Sequence, residues 1–158
     1  MPLIVNDDAL TEEYLRANRF TDDAAYVVRD SVQRAFSRAL AGLVPQAMVL
    51  WSILNWERKL ALAALDYCGV DEDALRQAIL NELAELKVDT YDEDIDFRHI
   101  SDTSVSAGNI SRTRGEDYVG TEHLLLALCR SSDAIVQRVF EKFGITYQRI
   151  EVALRELL

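Results

Sequence analysis

The stretch Tyr118-Val119-Gly120-Thr121-Glu122-His123-Leu124-Leu125-Leu126-Ala127-Leu128-Cys129 decides how the rest of the chain is interpreted. It begins like a helix, because Thr121 can act as N-cap and Glu122 suits the positive end of a helix. The leucines that follow are strong helix formers, and the run ends at Arg130. Taken alone, the stretch predicts one capped and buried helix.

The apolar pattern of this stretch occurs twice in the chain at a constant separation. Gly144 minus Gly69 is 75, and sliding the chain by that number aligns apolar positions with apolar positions without a gap. The matched pairs include Val44 with Val119, Leu50 with Leu125, Ile53 with Leu128, Leu65 with Phe140, Leu75 with Ile150 and Ile79 with Leu154. Such a duplication predicts two units that hide their apolar faces on each other about a pseudo-twofold axis.

The composition favours helices throughout. The 158 residues are 49% apolar and include only two prolines and six glycines, while alternating strand-like runs are scarce. We therefore predict an all-α fold in which two pseudo-twofold-related four-helix repeats form eight helices behind a short helical leader. The predicted units are the leader at residues 1–19, the first repeat at 20–86, an acidic linker at 87–103 and the second repeat at 104–158.

Capping signals place several of these helices. Asp7 or Thr11 can cap the leader helix, Thr21 can cap a long helix that runs to about Ala41, and Asp71 can cap the helix after Gly69. The segment Ser104–Gly115 is rich in serine, asparagine, glycine and threonine, which favour other conformations. We expect it to be short, bent or mobile.

The formal net charge of -10 limits the classes of partner. A surface this acidic repels nucleic-acid backbones and anionic membranes, and no local basic patch offsets it. The first residues lack the basic and apolar regions of a signal peptide, and no apolar run approaches membrane-spanning length. The sequence therefore predicts a cytoplasmic protein, with Cys68 and Cys129 as reduced core residues.

Metal and catalytic sites find little support. Asp92, Asp94 and Asp96 alternate as in a calcium loop, but Phe97 replaces the turn glycine and Thr103 replaces the final bidentate acid. A zinc site lacks ligands as well, because the chain has only two histidines and its two cysteines are too far apart in sequence to form a paired zinc-binding motif. A hydrolase built on the Glu122-His123 pair lacks a nucleophile at suitable spacing. We predict no catalytic residue, metal or cofactor.

The order of the elements resembles a known family. A long helix, the string Tyr-Val-Gly-Thr-Glu-His-Leu-Leu-Leu-Ala-Leu, a short helix closing at Gly144 and a final capped helix resemble the Clp amino-terminal repeat domain. That domain heads the Clp/Hsp100 AAA+ unfoldases. The resemblance covers about Phe20 to Leu158, and its specific parts are Phe20-Thr21 and Val119 to Leu128.

The resemblance implies an eight-helix docking platform that binds adaptors or substrate segments and passes clients to an ATPase ring. In one branch of the family, acidic residues of the two repeats recognise phosphoarginine. Here Glu122 stands in the second repeat, but Ala47 occupies the matching position of the first, which argues against a phosphoarginine site. Nothing in the sequence resembles a Walker A loop, so no ATP hydrolysis is expected within these residues.

We expect protein partners, and the candidate residues are a helix start, two tryptophans and two arginines: Thr121, Glu122, Trp51, Trp56, Arg112 and Arg114. Trp51 aligns with Leu126 and suits the core, whereas Trp56 aligns with Ser131 and suits an exposed anchor. The arginines either pair with the acidic linker or receive an acidic partner segment.

The leading hypothesis is an adaptor or accessory protein of a Clp-type AAA+ chaperone or protease system, which docks adaptors, clients or the ATPase ring. One alternative is a structural homodimer that associates through the apolar helix around Trp51 and Trp56. Another is the excised N-terminal domain of a Clp ATPase. We favour a free-standing protein, because the leader ahead of Phe20 is long and the first repeat has diverged.

Overall fold

The structure, a computed structural model, describes residues 8–37, 42–43, 45–56, 60–85 and 95–158. Predictions for the first residues of the leader, the end of the first long helix, Val44 and most of the acidic linker lie outside these ranges. In the described ranges, a 3-10 turn at Asp8–Leu10 precedes nine α-helices: α1 Glu12–Ala17, α2 Asp22–Ser37, α3 Ala47–Leu54, α4 Leu60–Tyr67, α5 Glu72–Ala84, α6 Arg98–Thr113, α7 Thr121–Cys129, α8 Ala134–Phe143 and α9 Tyr147–Leu157. The all-α prediction is confirmed. No described helix combines the length and the apolar run of a membrane span.

The two sets of four helices, α2 to α5 and α6 to α9, follow the repeat found in the sequence. Gly69 and Gly144 both adopt the left-handed conformation, with φ of 77° and 67°, where they end α4 and α8. Asp71 and Thr146 lie two residues beyond these glycines and cap α5 and α9. The predicted caps Thr11 and Thr21 are confirmed as well, since their hydroxyls accept backbone N–H bonds in α1 and α2.

Apolar positions that the repeat relates are buried in both copies. The buried pairs are Leu50 with Leu125, Ile53 with Leu128, Ala61 with Val136, Ala64 with Val139, Leu65 with Phe140, Leu75 with Ile150 and Ile79 with Leu154. Helix α3 is enclosed on every side, because all its residues from Ala47 to Leu54 are buried. Trp51 belongs to this core and is 8% exposed.

The repeats exchange contacts rather than lying side by side. Helix α4 packs on α9 and α5 packs on α8, so the last helix of each repeat covers the third helix of the other. A short parallel pair joins β1, Gly42–Leu43, to β2, Ile95–Asp96. Its counterpart is the parallel bridge between Phe20 and Val119. Each pairing links the segment before the first helix of one repeat to the segment before the second helix of the other.

Helix α6 corrects two expectations. It begins at Arg98, so the last residues assigned to the linker are helical, and Ser104–Gly115 is helical through Thr113 rather than short or bent. Small polar residues are used here for close packing. The buried Ser104 hydroxyl donates to the Ala9 carbonyl of the leader at 3.1 Å, and α7 packs along the same helix. Tertiary packing thus overrides a low helix propensity.

The leader helix ends on a strained residue. Arg19 has a φ of 61°, and it is the one non-glycine residue with positive φ in the described part of the chain. Its N–H donates to the Arg16 carbonyl at 3.1 Å, and the Phe20 N–H donates to the Leu15 carbonyl at 2.9 Å. This bonding is typical of a helix end that normally carries glycine.

Replacing Arg19 with glycine should stabilise the fold. Glycine adopts the left-handed region without the steric cost that other residues pay, so we expect Arg19→Gly to raise the free energy of unfolding by about 1 kcal/mol. Urea denaturation followed by circular dichroism measures the change. Arg155→Ala, on the exposed face of α9, is the control for losing one positive charge, and a destabilised Arg19→Gly would contradict the assignment of strain.

Candidate functional site

The start of α7 is built differently from the predicted cap. Gly120 is the N-cap, and Thr121 is the first helical residue, where its side chain is buried. The His123 imidazole takes over the capping role, because its Nδ1 accepts the Gly120 N–H at 2.9 Å. The expectation that Thr121 caps this helix is therefore wrong, since an imidazole three residues on satisfies the backbone instead.

Glu122 is folded back over the cap rather than presented to solvent. Its side chain is buried, with 5% of the residue exposed, and its Oε2 accepts a hydrogen bond from the Tyr118 hydroxyl at 2.9 Å. A Cβ on Gly120 would overlap Glu122 Oε1. The glycine therefore leaves the space in which this carboxylate sits.

A chain of hydrogen bonds continues from His123 towards the surface. Its Nε2 lies 3.1 Å from Glu116 Oε2, and Glu116 Oε1 accepts from Arg114 Nε at 2.6 Å. A second guanidinium nitrogen of Arg114 donates to Glu151 on α9 at 3.0 Å. Because Nδ1 already accepts from Gly120, the neutral imidazole carries its hydrogen on Nε2 and donates it to Glu116.

This arrangement fixes the charges of the cluster. Burial alone would raise the pKa of Glu116, but its hydrogen bond with Arg114 and the nearby His123 hold the pKa below the usual value. Burial and the hydrogen bond to Glu122 raise the pKa of Tyr118, so its hydroxyl remains a donor. The polar groups of the cluster are thus hydrogen-bonded to one another, as expected for buried polar side chains.

Glu116, Glu122 and His123 bring three potential metal-ligand atoms within 4.8 Å of one another. The imidazole, however, has no lone pair left for a cation, because Nδ1 accepts from the backbone and Nε2 carries the hydrogen. Arg114 also adds a positive charge beside Glu116. Within the described part of the chain, the chemistry of this donor set argues against a metal site.

The corresponding helix start in the first repeat has a different role. Gln46 replaces the threonine, and its N–H donates to Asp133 Oδ2 at 2.8 Å, while its side-chain amide donates to the His99 carbonyl at 2.9 Å. Ser131 donates to the Gln46 side-chain oxygen. This position therefore ties α3 to α6 and to the loop before α8.

A second group of side chains lies on the first repeat and combines Trp56, which the sequence predicted as a partner residue, with Tyr26, which it did not. Trp56 is half-buried and stacks on Tyr26, with ring centroids 4.1 Å apart, and its Nε1 donates to Asp23 at 3.2 Å. Tyr26 is 45% exposed. It lines a groove of about 750 Å³ between the leader and α2. Tyr26 carried no sequence signal apart from its place among apolar residues of α2.

The structure therefore separates the six predicted partner residues. Thr121 and Glu122 are buried with Arg114 nearby, Trp51 is in the core, and Trp56 stacks on Tyr26, which lines the groove between the leader and α2. Arg112 is exposed on α6 and lines another cleft. Arg114 pairs with acids of its own repeat, whereas the predicted pairing with the acidic linker lies outside the described residues.

Comparison with known proteins supports the family resemblance. Residues 98–158 match the family model described as "Clp repeat (R) N-terminal domain". The fold over the longer chain is similar to solved structures that share low sequence identity. The structural similarities therefore show the fold of the chain, whereas the match to the family model covers the second repeat.

Three solved structures illustrate the similarity. The Hsp104 N-terminal domain from Candida albicans is 18% identical, with a TM-score of 0.72 over 88% of this chain and 91% of that one. The N-terminal domain of ClpV1 ATPase from E. coli EAEC is 17% identical, with a TM-score of 0.67 over 91% and 85%. A structure described as "Peptide from EAEC T6SS Sci1 SciI protein" is 18% identical, with a TM-score of 0.68 over 95% and 94%.

Adding a methyl group at Gly120 should displace the Glu122 carboxylate. We expect Gly120→Ala to lower the free energy of unfolding by about 1–2 kcal/mol, the cost of losing the buried bond to Tyr118. In a Glu122→Ala background the same change should cost less than about 0.5 kcal/mol, because no carboxylate remains to be displaced. Urea unfolding of the four proteins completes the cycle, and equal costs in both backgrounds would refute the close approach.

The Glu116 cluster should weaken in acid. Since the pKa of Glu116 is lowered in the folded state, its contribution is present above the unfolded value of about 4.3 and is lost as the pH falls through the folded value. We expect the wild type to be more stable than Glu116→Gln at pH 7 by on the order of 1 kcal/mol, with the gap closing below about pH 4. Urea unfolding between these values measures it. Glu13→Gln, which changes an exposed carboxyl, should show no such gap.

Proposed function

We propose that this chain, which carries a Clp amino-terminal repeat domain, is a non-enzymatic docking module of a Clp-type AAA+ chaperone or protease system. It binds a segment of an adaptor or client protein in the groove between the leader and α2. The observation that carries the proposal is the exposed Tyr26, stacked on Trp56, beside that groove.

The groove has the size and lining of a segment-binding site. It has a volume of about 750 Å³, which exceeds what a single side chain fills, and its walls mix apolar and charged groups. The leader supplies Leu10 and Glu12, and α2 supplies Tyr26, Arg29 and other residues. Two helices that pack side by side can hold an extended or helical segment between them.

The aromatic pair supplies the anchor. Tyrosine and tryptophan are the side chains that most often dominate binding energy at interfaces, because they bury a large area with few rotatable bonds. Trp56 holds the Tyr26 ring from one side and is itself held by its hydrogen bond to Asp23. The tyrosine is thus preorganised at the surface, which lowers the entropic cost of binding.

The polar groups of the second repeat support docking rather than catalysis. His123 is fully buried, and both of its ring nitrogens are hydrogen-bonded. Burial raises the pKa of the Cys129 thiol to about 12, which suppresses the thiolate that a nucleophile requires. The fold is that of the Hsp104 and ClpV1 N-terminal domains, and the description of a third structure with this fold names a peptide, "Peptide from EAEC T6SS Sci1 SciI protein". A protein segment is therefore the ligand class we propose.

Affinity capture with matched variants tests this function. We expect the immobilised wild type to retain a Clp-type ATPase, its adaptor or a client, and Tyr26→Ala to lower that recovery by about tenfold, because an interface anchor is removed. Tyr67→Ala is the control, since Tyr67 is 53% exposed on α4, away from the groove. Quantitative mass spectrometry of the retained proteins is the measurement.

Two results would overturn the proposal. One is recovery of no Clp-type ATPase, adaptor or client by the wild type. The other is equal recovery by Tyr26→Ala and Tyr67→Ala. Because Tyr26 is 45% exposed and is not part of the buried core, its loss should leave the folded state intact, and circular dichroism of the variant verifies this before capture.

A further inference from the structure

An ion pair joins the two walls of the groove between the leader and α2. Arg29 Nη1 of α2 lies 3.7 Å from Glu12 Oε2 of the leader. Both residues line the groove, Glu12 from the leader side and Arg29 from the α2 side. The pair therefore connects one wall with the other and does not run along either of them.

This pair lies at the rim of the groove. The side chains of Arg29 and Glu12 are 58% and 60% exposed. Leu10 and Val32, which line the same groove, are only 5% and 3% exposed. The groove thus has an apolar floor, and the charged pair spans its opening above that floor.

The pair is also next to the proposed anchor. Arg29 follows Tyr26 by three residues in α2, and residues three apart lie on the same face of a helix. A segment that packs on the Tyr26 ring between the two walls therefore reaches the Arg29 guanidinium. Because that guanidinium is paired with the opposite wall, the segment has to displace it in order to enter.

Opening this pair leaves no carboxylate without a partner. Glu12 Oε1 accepts a hydrogen bond from Arg16 Nη2 at 3.2 Å within the leader helix. Glu12 also stands in the first turn of that helix, where a negative charge is favourable. An exposed ion pair is weak, because water screens it and two long side chains must be ordered to form it. The pair can therefore open readily when Arg29 turns away.

We propose that the Glu12–Arg29 pair is a strap that closes the groove in the free protein and opens when a segment docks. The proposal rests on the docking function proposed above, since it concerns access to the same groove. Salt screens exposed charges, so the groove becomes more accessible as the ionic strength rises. A pair that only fixed the leader to α2 would act in the opposite direction, because its loss would disturb the groove and weaken binding.

Binding of Nile red, a neutral apolar dye, tests the strap without a protein partner. At about 20 mM NaCl we expect Glu12→Gln and Arg29→Gln each to bind the dye about threefold more tightly than the wild type, as the loss of an exposed ion pair allows. The double variant should bind no more tightly than either single variant, because both changes remove the same pair. Adding Tyr26→Ala to Glu12→Gln should abolish the gain, which assigns the dye to this groove.

The control is Glu13→Gln, which removes the neighbouring exposed carboxyl, and it should bind the dye like the wild type. Raising NaCl to about 300 mM should strengthen binding by the wild type towards that of Glu12→Gln and leave Glu12→Gln unchanged. Circular dichroism verifies that each variant is folded. The strap is refuted if Glu12→Gln and Arg29→Gln behave like Glu13→Gln, if either binds the dye more weakly than the wild type, or if salt has no effect on the wild type.

Affinity capture with the same variants separates the strap from the docking function. We expect Glu12→Gln to retain about three times as much partner as the wild type, and Glu13→Gln to retain as much as the wild type. If the wild type retains a partner but Glu12→Gln and Glu13→Gln recover equal amounts, the strap is wrong and the docking function stands. If the wild type retains no partner, the docking function is wrong, and the dye measurement still decides whether the pair closes the groove.

Discussion

The rest of the structure depends on one constraint: neither repeat can bury its apolar helices alone. Helix α3 is apolar around its whole circumference apart from Ser52, and every one of its residues is buried. Burial of apolar surface is the main favourable contribution to folding, at about 25 cal/mol per Å². A four-helix unit with such a helix needs a cover, and the exchanged packing of α4 on α9 and α5 on α8 supplies it. The two repeats therefore fold as one body.

Within that symmetric frame, the two equivalent helix starts have diverged. At α7, Glu122 and His123 turn inwards and bond to the segment that precedes them. At α3, Ala47 and Met48 are simply core residues, and Gln46 bonds outwards to Asp133 and His99 of the other repeat. The polar groups of one start stabilise its own repeat, and those of the other hold the repeats together. The same position of the repeat therefore has a different structural role in each copy.

The sequence predicted the elements that rest on local or periodic signals. The 75-residue spacing, the closing glycines Gly69 and Gly144 and the caps at Thr21 and Asp71 all appear where expected, because each depends on nearby residues. Helix α6 was misjudged because its serines serve contacts with the leader, which no local propensity reveals. The cap at α7 was missed because His123 replaces the usual hydroxyl. The contact between Trp56 and Tyr26 depends on how the helices pack, so it could not be predicted from the spacing of residues in the sequence.

The surface proposed for partners depends on the leader, a segment that the repeat does not duplicate. Leu10 and Glu12 form a wall of the groove beside Tyr26. The α7 start is, by contrast, satisfied by its own hydrogen bonds, and its buried Glu122 has little surface to offer. In a duplicated apolar scaffold, the residues at equivalent positions of the two repeats are used to pack the core. The groove that we propose for a partner therefore lies where the leader packs on one repeat and has no counterpart on the other.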